Sequence, residues 1–151
     1  MSIERDIEKN IRNVIRKIIG VNKYFTLFDS KNVSDIVICR NILIPKIFFI
    51  ELKHHKESTG RIGFGDISGN GYQPEILKNQ PKYLEENLIW VFTRENDNKY
   101  YISHSSECIE HVSGGGLKDN SSNNFSTNIF KKIKSYNEKE FIAFLEDWLI
   151  N

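Results

Sequence analysis

Two acidic residues and a lysine interrupt apolar segments in the first half of the chain. Glu51 and Lys53 stand at the end of the run 48–53, which reads FFIELK. Because side chains alternate along a strand, these two charges share one face, and the apolar residues beside them occupy the other. Asp35 interrupts an earlier apolar run, 33–39. Charges at the end of a buried strand are costly unless something pairs with them or binds there.

An all-oxygen metal site would account for the two carboxylates. If the strands that carry Asp35 and Glu51 pair as an antiparallel hairpin, their side chains face each other and repel unless a cation lies between them. Mg²⁺ prefers such sites and keeps several waters, Mn²⁺ is its usual substitute, and the backbone carbonyl of Leu52 is a further candidate ligand. Lys53 would then orient or activate a water, or stabilise charge on a phosphate. The alternative is an ordinary edge-strand ion pair between Glu51 and Lys53, with Asp35 capping a turn.

One helix and then several short strands are predicted in the part of the chain that leads to Glu51 and Lys53. Apolar residues at three- and four-residue spacing predict a helix over 2–19, with Ser2 as its N-cap and Gly20 at its C-cap. Residues 29–32 predict a turn. Short apolar runs predict strands over 24–28, 33–39 and 47–53, with 42–44 as an extension of the hairpin.

The elements after the pair are separated by two segments rich in Gly, Ser and Asn. These segments, 54–72 and 113–128, predict long irregular loops. Pro74 suits the first turn of a helix that runs to about Asn87 and is interrupted at Pro81. Further along, residues 88–94 and 99–104 predict a strand pair, and residues 95–98 predict the turn between them. The last helix is predicted from about Glu138, with Asn137 as its N-cap.

Asp35 followed by Glu51-x-Lys53 after an apolar strand resembles the PD-(D/E)xK nuclease superfamily, which includes restriction endonucleases and archaeal Holliday-junction resolvases. The resemblance covers roughly residues 3–94 and matches the family's αβββαβ order. It implies an α/β (α+β) fold in which helices flank a central mixed sheet. Ser34 replaces the proline that usually precedes the aspartate, a position that varies in the family.

The resemblance also implies roles for individual residues. Asp35 and Glu51 would be metal ligands, and Lys53 would be the catalytic lysine. Some relatives place a further metal-site glutamate on the first helix, where Glu8 lies here, although a solvated helix charge explains Glu8 equally simply. Several relatives have a glutamine near Gln73 that touches the water or the phosphate, and a capping role for Gln73 is the alternative.

Four residues after the lysine are candidates for DNA contact. His54 and His55 would approach phosphate or a base edge, and Lys56 and Arg61 would contact the phosphate backbone. A zinc site is not indicated for the histidines, because no cysteine or third histidine stands at zinc-ligand spacing. The alternative is an exposed surface loop.

Composition indicates one globular domain, 1–151, with a sizeable core. The net charge is +1, from 21 Lys and Arg against 20 Asp and Glu, so the chain is not globally basic. Residues 1–60 carry 11 basic and 7 acidic side chains, which favours a local basic surface. Two cysteines and a charged N-terminal segment predict a cytoplasmic protein without a disulfide framework.

These observations predict a magnesium-dependent DNA endonuclease, most like a type II restriction enzyme that cuts double-stranded DNA at a short site. Cleavage of both strands of a symmetric site implies a homodimer, and a restriction system implies a cognate DNA methyltransferase. Two alternatives stay open: a Holliday-junction resolvase or other structure-selective nuclease, and a non-catalytic DNA-binding subunit with the same fold.

Overall fold

The computed structural model describes the backbone of residues 3–20, 25–28, 35–42, 44–57, 61–63, 72–114 and 123–151. The helices are α1 (Ile3–Ile19), α2 (Tyr72–Asn79), α3 (Lys82–Asn87), α4 (Ser105–Cys108), α5 (Ile129–Lys132) and α6 (Glu138–Ile150), with a short 3-10 helix at Ile109–His111. The strands are β1 (Phe25–Phe28), β2 (Ile36–Arg40), β3 (Lys46–His55), β4 (Arg61–Gly63), β5 (Leu88–Arg94), β6 (Tyr100–Ser103), β7 (Val112–Gly114), β8 (Asn123–Ser126) and β9 (Ser135–Tyr136). No helix in these ranges is both long enough and apolar enough to cross a membrane.

A six-stranded mixed sheet forms the centre of the protein, in the order β1-β2-β3-β5-β6-β9. β3 and β5 pair in parallel, and the other neighbours pair antiparallel. The parallel pair requires a crossover, which passes through α2 and α3. The predicted αβββαβ order and the central mixed sheet with flanking helices are therefore confirmed.

Each face of this sheet is covered by its own apolar layer. On one face, Ile50 and Leu52 of β3 pack with Ile11 and Ile15 of α1 and with Leu145 of α6. On the other face, Trp90 and Phe92 of β5 pack with Leu77 of α2 and with Phe125 and Phe130. The alternation of side chains along β3 and β5 separates the two layers, so a residue's parity in the sequence decides which layer it joins.

The two segments predicted as long loops contain strands, so that prediction is wrong where the structure describes them. Arg61–Gly63 of the first segment pairs with Asn124–Ser126 of the second, and β8 also pairs with β7. Together they form a separate three-stranded sheet, β4-β8-β7. Strands this short carry little signal in the sequence, and β4 pairs with a strand about sixty positions later. Ile62 and Phe125 anchor the small sheet in the second apolar layer.

Most predicted boundaries hold, with small shifts at the ends. The helix around Pro74 is divided at Pro81, and Asn137 caps α6 in a reciprocal capping box with Glu140. Residues 41, 42, 44 and 45 form the connection between β2 and β3 and do not extend the hairpin. Gly20 lies so close to α1 that an added Cβ would stand 2.3 Å from the carbonyl oxygen of Arg16. The predictions for Ser2, 29–32 and 33–34 lie outside the described residues.

Candidate active site

The register of β2 against β3 brings Asp35 and Glu51 together. Ile36 pairs with Ile50 in the antiparallel ladder, so the next step places Asp35 directly opposite Glu51. Side chains at directly opposed positions lie on one face of the sheet, with Cβ atoms about 4.5–5.5 Å apart. The predicted antiparallel hairpin of β2 and β3 is present.

The carboxylate of Asp35 also crosses to the backbone of β3. Its Oδ2 atom accepts a hydrogen bond of 2.7 Å from the Leu52 amide. Because the N–H and C=O groups of a strand residue point to the same neighbouring strand, the Leu52 carbonyl is directed to the Asp35 side. The hydrogen bond holds Asp35 against β3 just beyond the end of the β2–β3 ladder.

Glu51 is buried, with only 1% of its surface exposed. In the parallel ladder it stands beside Trp90, which is fully buried and donates an indole hydrogen bond of 2.9 Å to Ser105 Oγ. Taking a carboxylate out of water is expensive unless hydrogen bonds, an opposite charge or a metal compensates. The burial of Glu51 therefore indicates that its carboxylate interacts with hydrogen-bond donors, an opposite charge or a metal.

Lys53 lies on the same face as Glu51 and is partly exposed. It stands beside Phe92 in the parallel ladder, two positions further toward the end of β3. An amine here can move over the region in front of the two carboxylates. The alternation predicted for the FFIELK run is confirmed, since Ile50 and Leu52 lie in the opposite apolar layer.

A buried arginine connects α1 to this end of the hairpin. Arg12 donates hydrogen bonds of 2.8 Å to the Phe28 carbonyl and 2.7 Å to the Asp35 carbonyl. Its Nε atom lies 3.9 Å from Glu8 Oε2, and each of the two residues is 7% exposed. Glu8 is thus a buried charge in contact with Arg12, not a solvated helix charge. Arg12 in turn bonds the backbone of Asp35.

The oxygen donors at this end fit a hard divalent cation. Asp35 and Glu51 supply carboxylate oxygens, and Leu52 supplies a carbonyl oxygen directed to the same side. No group of three or more His, Cys, Asp or Glu side chains arranged for a metal occurs among the described residues. Mg²⁺ is commonly held by one or two carboxylates with waters and substrate phosphate oxygens, so the donor set is compatible with that ion.

The predicted DNA-contact residues are distributed over both faces of the sheet. His54 and His55 belong to β3 rather than to a loop, opposite Thr93 and Arg94 of β5. His54 Nδ1 lies 2.9 Å from Thr93 Oγ1, and burial, as the largest influence, lowers the pKa of His54 below 6.5.

The remaining predicted residues have different surroundings. The ring of His55 lies 5.9 Å from that of Phe130, and Lys56 is exposed. Arg61 belongs to β4 and Gln73 to α2, and the side chains of both lie outside the described part of the chain. The catalytic role of Gln73 and the DNA contact of Arg61 stay predictions.

Arg12 was missed by the sequence interpretation. One signal was available: Glu8 and Arg12 stand four residues apart beside the apolar stripe of α1, where an ion pair lies next to the core. That spacing is frequent on exposed helix faces, so it did not reveal the contact with Asp35. Only the packing of α1 against β1 and β2 distinguishes this pair from a surface pair.

No protein-family model and no curated protein matches the sequence. Among solved structures, the fold is similar to that of D212, a nuclease from a fusselovirus, with a TM-score of 0.50. The alignment covers 95% of this chain and 88% of that chain at 9% sequence identity. At such low identity the similarity concerns the fold: the mixed sheet with flanking helices that carries Asp35, Glu51 and Lys53 is a nuclease-like α/β architecture.

Proposed function

We propose that the chain is a divalent-metal-dependent endodeoxyribonuclease of the PD-(D/E)xK type, which hydrolyses phosphodiester bonds in DNA. The observation that carries this proposal is the register that sets Asp35 opposite Glu51, with Lys53 on the same face. The similarity of the fold to that of a viral nuclease supports it.

The residues would divide the chemistry among them. Asp35, Glu51 and the Leu52 carbonyl would hold a Mg²⁺ ion, for which Mn²⁺ could substitute. When bound, such an ion supplies Lewis-acid stabilisation of the phosphate and lowers the pKa of a water. Lys53 would orient the attacking water or stabilise the charge on a non-bridging phosphate oxygen. The water would lose a proton to solvent and form a P–O bond in line as the bond to the 3′ oxygen breaks, and the 3′ oxygen would take up a proton from solvent.

A restriction-type substrate is the first candidate. It would be double-stranded DNA cut at a short site, and a symmetric site would require a homodimer with one site for each strand. A cognate DNA methyltransferase in the same system would then protect the host DNA. Gln73 is a further candidate for the catalytic set, and His55, Lys56 and Arg61 are candidates for contacts with the backbone of the duplex.

The second candidate is a structure-selective nuclease such as a junction resolvase. The burial of Glu8 against Arg12, which holds the Asp35 backbone, favours this reading. A first-helix glutamate that belongs to the site is a feature of the resolvase-like relatives and would contribute to metal binding here. A third candidate is a DNA-binding subunit that keeps the fold without cutting.

The decisive experiment compares three DNA substrates of equal length or mass: supercoiled plasmid, linear duplex of mixed sequence and a four-way junction. Each is incubated with the protein in Mg²⁺, in Mn²⁺ or in EDTA. Glu51→Gln and Lys53→Ala are expected to reduce cleavage by about 100-fold or more. Lys139→Ala, which removes an exposed lysine on α6, is the matched control and should cut like the parent.

The products separate the candidates. Discrete fragments from the duplex support restriction, and symmetric nicking of the junction alone supports resolution. Binding without cleavage of any of these substrates supports the non-catalytic subunit and contradicts the enzyme. The nuclease assignment is also contradicted if Glu51→Gln and Lys53→Ala cut as fast as Lys139→Ala.

A further inference from the structure

A groove of about 950 Å³ opens beside the end of β3, on the sheet face opposite to Glu51 and Lys53. Its walls are one side of α1 and the turn that joins β5 to β6. Four asparagines line it, Asn10 and Asn13 from the helix and Asn96 and Asn98 from the turn. We call this feature the amide groove.

The charges of the amide groove cancel. Three basic and three acidic side chains line it: Lys17, Arg94, Lys99, Glu95, Asp97 and Glu138. Arg94 and Asp97 are already paired, with 2.6 Å between Nε and Oδ2. A groove without net charge offers little attraction to a phosphate, whereas its amides offer both donors and acceptors. Its lining therefore favours a neutral ligand that is rich in hydrogen-bonding groups.

The amides retain hydrogen-bonding capacity. Asn13 accepts one hydrogen bond of 3.2 Å from Arg16, and Asn96 donates one of 3.1 Å to Glu57. An amide side chain carries two donor hydrogens and two acceptor lone pairs, so each of these residues has further groups to offer. Asparagine can also form a bidentate pair with the donor and acceptor edge of an adenine base.

His54 joins the groove to the candidate active site. It lines the groove, and its Nε2 atom is buried without a hydrogen-bond partner in the described part of the chain. Lys53 precedes it directly and points to the other face of the sheet. Because the two side chains point to opposite faces but are only about 3.4 Å apart along β3, a nucleic-acid strand that passes around this end of β3 could contact both.

We propose that the amide groove binds an unpaired base of the DNA strand whose backbone is cut at Asp35, Glu51 and Lys53. This inference rests on the proposed function and narrows its substrate class to DNA with unpaired nucleotides near the cleavage point. The base enters the groove between α1 and the β5–β6 turn, and the asparagines bond its edge. A fully paired duplex must expose a base before it occupies the groove.

The test measures binding without turnover. Fluorescence anisotropy in EDTA compares the unmodified protein on two labelled single strands of equal length, one with all its bases and one with abasic residues at the centre. Both strands carry the same number of phosphates, so a difference reports the bases. We expect the base-bearing strand to bind about 10-fold tighter, the gain of one well-placed amide–base pair.

A double variant, Asn10→Ala with Asn13→Ala, assigns the preference to the groove. Both asparagines are exposed on α1, and alanine is a better helix former, so the fold should be retained. The double variant should bind both strands with equal affinity. Lys9→Ala, an exposed change on the same helix outside the groove, should keep the preference.

Three results would decide the inference. Equal binding of the two strands by the unmodified protein overturns it, as does a preference that survives in the double variant. A base preference that the double variant loses supports it. Plasmid and junction cleavage are scored separately: cleavage that depends on Glu51 without any base preference removes the groove assignment alone, and a base preference without cleavage of any DNA removes the nuclease proposal alone.

Discussion

The two ends of the β2–β3 hairpin are each held by a buried arginine, but the two arginines bond to different parts of the molecule. At the turn end, Arg40 is 3% exposed and donates to the carbonyls of Leu149 at 3.0 Å and Ile150 at 3.2 Å. Its second terminal nitrogen, Nη2, donates to the Ile44 carbonyl at 3.1 Å. The guanidinium thus closes the C-terminal end of α6, where carbonyls lack helical partners and a positive charge is favoured.

At the open end, which carries Asp35 and Glu51, Arg12 also donates hydrogen bonds to backbone carbonyls. It holds the carbonyls of Phe28 and Asp35, and it also contacts the carboxylate of Glu8. Asp35 in turn accepts from the Leu52 amide and stands opposite Glu51. The carbonyls that Arg40 holds belong to apolar residues, whereas one that Arg12 holds belongs to a residue of the candidate site.

A buried arginine that binds backbone carbonyls can therefore contribute to stability alone, as we expect for Arg40, or to stability and catalysis, as we expect for Arg12. Both arginines should matter for folding, because each is itself buried and donates hydrogen bonds to backbone carbonyls of other segments. Only the arginine at the open end should matter for cleavage beyond its effect on the folded fraction. Three measurements can break or sharpen this distinction.

The largest expected effect is on stability at the turn end. Arg40→Ala should lower the free energy of unfolding by about 3 kcal/mol, because one buried and two partly buried hydrogen bonds from a charged donor are lost. Urea unfolding followed by tryptophan fluorescence measures the change. Arg40→Lys, which keeps the charge but not the planar fork, should recover part of it. A change within 0.5 kcal/mol, about that of an ordinary surface substitution, would contradict the anchoring role.

The second effect concerns cleavage at the open end. Arg12→Ala should reduce metal-dependent cleavage by about 10- to 100-fold, as loss of a group that orients a metal ligand commonly does. The rate is measured at a temperature where both arginine variants are folded, with metal affinity measured by calorimetry. Arg5→Ala, an exposed change about two turns earlier on α1 and outside the amide groove, is the matched control.

Cleavage by Arg40→Ala provides the contrast. At that temperature it should cut at the rate of the parent, since its targets lie at the other end of the hairpin. If the two arginine variants lose cleavage in equal measure, or if Arg12→Ala keeps the parent's rate, the distinction between the two ends is wrong.

The smallest effect is a pH dependence confined to the open end. Burial lowers the pKa of His54 below 6.5, helped by the charges of Lys56 and His55 and opposed by Glu95. The unfolded chain therefore binds the proton more readily, so this stability is full above pH 6.5 and is lost as the pH falls through that value toward the folded pKa.

The test replaces His54 with asparagine. Urea unfolding of the parent between pH 7.5 and 5.5 should show a steeper loss of stability than His54→Asn. Equal slopes for the two proteins would show that His54 carries no such linkage.

Much of the large sheet could be predicted because its signals are local. The stripe of α1, the apolar runs of β2, β3 and β5, the turn at 95–98 and the capping box of α6 lie within a few residues of the features that define them. The small sheet could not be predicted in this way. Each of its three strands has three or four residues, and β4 pairs with β8 about sixty positions later.

By itself, the sequence determined the order of α1, β1, β2, β3, β5, β6 and α6 and the face on which Glu51 and Lys53 lie, since both depend on local periodicity. The tertiary structure alone decided the parallel pairing of β3 with β5, the small sheet, the contact of Arg12 with Asp35 and the amide groove at the end of β3. These features join residues that are distant along the chain, and their geometry comes from the packing of α1 and the β5–β6 turn around the sheet. A sequence pattern records which chemistry each residue offers, but only the packed chain brings the donors, the carboxylates and the lysine within reach of one another.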